Sequence, residues 1–94
     1  MLYRVLFVGI DVDLLEARQR LFASRGYDSR IATPWDIDEK LQFGRFDLVI
    51  LSVMLSQEEK RQIQAKLPAG TRQLVLKTLV WPDELRRTVA EALG

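Results

Sequence analysis

The chain has 94 residues, enough for one domain with a modest core, and 48% of them are apolar, as in an ordinary globular protein. Fourteen Lys and Arg against thirteen Asp and Glu leave a net charge of +1, and the basic residues are scattered, so neither direct nucleic-acid binding nor attraction to a membrane is expected. With no Cys and no His, the chain lacks thiolate nucleophiles, imidazole bases and the usual zinc ligands, and any metal would have to be a hard, carboxylate-bound ion such as Mg²⁺.

Tyr3 to Gly9 is a near-continuous apolar run that predicts a central strand. It meets acidic residues directly and has no small-residue cleavage site, so Leu2 to Ile10 reads as a strand rather than a signal peptide. No apolar run approaches the roughly 20 residues of a membrane span, and the cytoplasm is the expected location. A helix follows from about Leu14 to Arg25, with Leu14, Arg18, Leu21 and Phe22 on its inward stripe. Arg18 contributes mainly its stem, and Gly26 sits just past the helix end. Asp28 to Ala32 is short and weakly apolar, which suits an edge strand. At Thr33-Pro34-Trp35-Asp36 a second helix is predicted to start, with Thr33 as its cap and Pro34 at its first position. Ile37 and Leu41 face the sheet, Trp35 covers the helix edge, and Gly44 ends the element.

Phe46 to Leu55 contains the most continuous short apolar run, Leu48-Val49-Ile50-Leu51, which predicts a strand buried on both faces and ending at Ser52. Ser56-Gln57-Glu58-Glu59 reads as a capping box for a third helix over Gln57 to Lys66. Its apolar face is thin, with Ile63 and Leu67 the clear members. Gln73 to Lys77 predicts a fourth strand, and after the apolar link Leu79-Val80-Trp81 a last helix starts at Pro82. Leu85, Val89, Ala92 and Leu93 give that helix a clean inward face. The alternation βαβαβαβα predicts a single α/β domain over residues 1–94: a parallel sheet with helices on both faces.

In their order and spacing these pieces resemble the receiver domain of bacterial two-component response regulators, the CheY-like fold. The likeness rests on Arg4-Val5-Leu6-Phe7-Val8 through Asp13-Leu14-Leu15-Glu16, on Ser24-Arg25-Gly26-Tyr27, on Phe46 to Leu51, and on Trp81-Pro82-Asp83-Glu84-Leu85. It implies a flavodoxin-like sheet of order 2-1-3-4 that lacks one βα unit. Receivers hold Mg²⁺ with an acidic pair after the first strand; Gly9 and Ile10 stand there, with Asp11 next. The phosphoacceptor aspartate is matched by Ser52, and Lys77 matches the family lysine on one of two alignments. The resemblance also implies that the face made by the family's fourth helix, fifth strand and fifth helix is the usual partner-binding and dimerisation surface, and the missing unit falls there.

A receiver accepts phosphate on a carboxylate, with a metal offsetting charge on the phosphoryl oxygens. A serine hydroxyl needs an adjacent base, and no His exists to serve. Ser52 therefore reads as a small polar residue at a strand end, Asp11 and Asp13 as helix-start acids, and Lys77 as a partner in an ion pair. The expectation is a pseudo-receiver that is not an enzyme and needs no cofactor. It would act by contact, as a homodimer or with another signalling protein, through Leu74, Leu76, Leu79, Val80, Trp81 and Leu85. The alternative is binding of a small anion or nucleotide in the strand-end crevice near Gly9, Ile10, Asp11, Ser52 and Lys77.

Overall fold

A computed structural model describes residues 2–94. Its sheet has four parallel strands in the order β2-β1-β3-β4: β1 (Arg4–Val8), β2 (Asp28–Ala32), β3 (Leu48–Leu51) and β4 (Arg72–Val75). The expected 2-1-3-4 architecture is what the chain adopts. Side chains on β1 and β3 alternate between two separate cores, as a strand's period of two requires. Val5, Phe7, Leu48 and Ile50 meet α1 (Val12–Ala23) and α4 (Pro82–Leu93) on one face. Leu6, Val8, Val49 and Leu51 meet α2 (Ile37–Leu41) and α3 (Gln57–Lys66) on the other. Every residue of β3 is buried, which explains its unbroken apolar run.

The helix ends show how local chemistry sets the lengths. Asp11 caps α1 by accepting from the Leu14 amide at 3.2 Å, so the helix starts two residues before the expected Leu14. At its other end Gly26 turns to φ +88°, and the Tyr27 amide reaches back to the Phe22 carbonyl at 3.1 Å. That cap ends the helix at Ala23 rather than Arg25. It also stacks Tyr27 edge-on against Phe22, whose ring meets Phe7 in the same way at 4.9 Å.

The start of α2 differs from expectation. Thr33 is not its cap: the Asp36 carboxylate accepts from the Thr33 amide at 2.6 Å and from its hydroxyl at 3.1 Å. This closes a turn over residues 33–36 and delays the helix to Ile37. Trp35 covers nothing; it is 76% exposed. The capping box on α3 is present, with Glu59 bonding the Ser56 amide at 2.9 Å and Ser56 the Glu59 amide at 3.1 Å. As expected from its thin stripe, α3 buries Ile63 alone.

The fourth strand ends at Val75 rather than Lys77. It is an edge strand, with β3 as its one strand neighbour. Leu74 packs against the α1/α4 core and Val75 against the other, both half-buried, while Arg72 and Gln73 are exposed. Covered on both faces but open along one edge, the strand reads apolar on successive positions only near its end.

Candidate functional site in the strand-end crevice

The carboxyl ends of β1, β3 and β4 bring Gly9, Ser52 and Leu76 to one edge of the sheet. Backbone bonds fix them: Gly9 N–H to Ala32 O at 3.1 Å, Ser52 N–H to Val8 O at 2.9 Å, and Leu76 N–H to Leu51 O at 2.9 Å. Gly9 and Ser52 are in close contact. A Cβ placed on Gly9 would lie 2.6 Å from Ser52 Oγ and 3.2 Å from Leu15, so glycine is required by crowding rather than by backbone conformation.

Ser52 is only 6% exposed. Its hydroxyl accepts from the Arg18 guanidinium, Nη1 to Oγ, at 3.4 Å. Arg18 projects from the inward stripe of α1 and is 7% exposed as a whole residue. Among the described residues no carboxylate lies within ion-pair distance of it. Burial pushes its guanidinium below the ordinary arginine value. It stays charged at neutral pH, because arginine begins so far above that range. Ser52 is thus a buried hydroxyl facing a fixed positive charge, and among the described residues no base is hydrogen-bonded to it. Nucleophilic attack from Ser52 needs such a group.

The acidic residues do not supply it. The Asp11 carboxylate is turned to the α1 amides, and Asp13 lies exposed in the first helical turn. Among the described residues no three acidic, His or Cys side chains gather. A cation already occupies the floor of the crevice, and the loop offers Gly9 and Ile10 where an acidic pair would stand. These groups do not fit Mg²⁺, whose sites are built from oxygen ligands carrying negative charge. Lys77 is exposed, and among the described residues it has no ion-pair partner. Of the residues singled out in the sequence, Gly9 and Ser52 come together, Asp11 is spent as a cap, and Ile10 and Lys77 face water. Arg18 was missed as a site residue. Its signal is a charge at an inward position between Leu14 and Phe22.

Around β4, Leu79 and Trp81 are 73% and 79% exposed. Leu76 and Leu85 belong to the α1/α4 core instead, which removes them from the expected contact surface and leaves half-buried Leu74 and Val80 with the two exposed side chains. At the opposite end of the sheet Arg4 serves structure. It bonds the carbonyls of Arg45 and Phe43, pairs with Asp28 at 3.2 Å, and lies 4.8 Å above the Phe46 ring.

No protein-family model and no curated protein sequence matches this chain. Among solved structures it is similar to a response regulator receiver domain protein (CheY-like) from Methanospirillum hungatei JF-1. The TM-score is 0.67 over 99% of this chain and 94% of that one, at 18% identity. At that identity the likeness is one of fold: a receiver-like α/β sheet.

Proposed function

We propose that this receiver-like domain works in signal transduction without phosphorylation, through contact between two copies of itself. The observation that supports this most is the open edge of β4 with exposed Leu79 and Trp81 beside it. Because the Leu76 amide bonds to Leu51, strand alternation turns the backbone groups of Leu74 and Leu76 toward β3. Those of Gln73 and Val75 then face outward, as an unpaired edge does. Two such edges can pair antiparallel across a two-fold axis with Val75 opposite Val75. Gln73 then lies opposite Lys77, and no like charges meet. The crevice supports the same reading from the other side, since its charge and its serine suit neither a metal nor phosphate transfer.

Sedimentation equilibrium over a range of concentrations tests this. The wild-type chain is expected to dimerise, and Trp81→Ala to raise the dissociation constant by about tenfold or more. Val75→Pro removes an outward-facing amide while sparing the β3–β4 bonds, and is expected to give a folded monomer. A wild-type chain that stays monomeric at high micromolar concentration would refute the proposal. Anion or nucleotide binding in the crevice finds less support, because Asp11 stands at its mouth and Lys77 does not converge on Ser52.

A further inference from the structure

Between α1 and α4, on the sheet face away from α2 and α3, lies a cleft of about 260 Å³. Leu14, Ala17, Arg18 and Leu21 line it from α1, and Val80, Pro82 and Leu85 from the last link and helix. Arg18 alone among these carries a polar side chain. The neighbouring acids Asp13, Glu16, Asp83 and Glu84 are exposed and do not line it.

A buried guanidinium ordinarily has a carboxylate, because its desolvation is otherwise uncompensated. Here the protein supplies none, and the one side-chain hydrogen bond made by Arg18 is long and uses one of five donors. An apolar cleft with one convergent charge is how small-molecule sites are built. We infer that the α1/α4 cleft binds a small amphiphilic carboxylate, with its apolar body between Leu14, Leu21, Val80 and Leu85 and its head on Arg18. At about 30 Å³ per atom, the share of a water in the liquid, the cleft holds roughly nine non-hydrogen atoms, which matches the carbon chain of a medium-chain fatty acid or the ring and methylene of an arylacetic acid, with the carboxylate oxygens beyond it on Arg18. The ligand is defined by Arg18 and the cleft and the dimer by the β4 edge; because Val80 and Trp81 border both, the titrations are run in the Val75→Pro background, which the proposed function makes monomeric, as well as in the parent chain.

The test uses the whole chain carrying Trp35→Phe. Trp81, between the lining residues Val80 and Pro82, then reports occupancy by its fluorescence. Nonanoate, nonanol and nonylammonium are titrated below the concentrations at which they form micelles. Saturable binding of nonanoate is expected, about tenfold or more tighter than nonanol, since a charge-assisted bond is worth that much. Nonylammonium should be excluded by the like charge. Arg18→Met should bring the acid down to the affinity of the alcohol. Ala17→Phe, which keeps Arg18 but fills the cleft, should abolish both. Equal affinity of acid and alcohol in the parent, or an unchanged preference in Arg18→Met, would overturn the inference. Absence of nonanoate binding would overturn it too. If Trp81 then became buried as the protein was concentrated, the cleft would belong to a side chain of a second copy.

Discussion

Arg18 carries a cost that the fold does not require. A desolvated cation with a single long bond destabilises the native state, whereas a flexible apolar side chain of similar length would fill the same space. The double replacement Arg18→Met with Ser52→Ala removes both members of this hydrogen bond together, so neither is left without the other. It is expected to raise stability by about 1 kcal/mol, or roughly 4–8 °C in the melting midpoint for a domain near this size. A drop in the midpoint would mean that Arg18 is a structural keystone. Gly9 makes the opposite case: Gly9→Ala forces a Cβ to 2.6 Å from Ser52 Oγ and should cost about 1–3 kcal/mol by overpacking. Ser52→Gly should recover part of that loss, read as a coupling energy in a double-mutant cycle.

Asp28 is held below the usual carboxylate value by its hydrogen bond from Arg30 first. Partial burial opposes that effect, while the Arg30 charge and the bond and charge of Arg4 add to it. The stabilisation is therefore complete above the ordinary aspartate value of about 3.9 and is lost as the pH falls through the lower folded value. Asp28→Asn should melt lower than wild type at about pH 6, and the gap should narrow as the pH falls below about 3.9. At this scale the sequence was informative where a residue's role is local. Ser52 at a strand end and Asp11 at a helix start follow from their neighbours. The head of Arg18 does not, because where a long inward side chain finds its partner depends on how α1 and β3 pack.

Elements were legible in proportion to how much of their own stability they encode. The runs of β1 and β3 are apolar on successive positions because helices cover both faces, and their short length and β-branched content favour a buried strand over a buried helix. The Ser56/Glu59 box fixes the start of α3 within four residues of chain. The start of α2 was not legible. Thr33-Pro34 and Asp36 fit both a helix cap and a turn closed by Asp36, and the bonds from Thr33 to Asp36 decide for the turn. Because α3 buries Ile63 alone, its caps matter more than packing. Ser56→Ala should lower stability by about 1 kcal/mol. By hydrogen exchange, the α3 amides should open well before those of β1 and β3. Equal protection across α3 and the central strands would contradict this picture of a loosely held helix.

On the scale of the whole molecule, strand order and two-sided cover follow from the alternation of elements and the handedness of parallel crossovers. The four-strand limit of the sheet was legible too, whereas the meeting of Arg18 with Ser52 at its carboxyl edge was not. The sheet ends on a half-covered strand, two exposed apolar side chains follow it in the chain, and Arg18 meets Ser52 at the strand ends. Under the proposed function, contact surfaces rather than phosphate chemistry are the working parts. The most direct measurement is the intact mass of the chain after incubation with acetyl phosphate and Mg²⁺. No phosphoryl adduct is expected; an adduct mapped to Ser52 would contradict the account at its root.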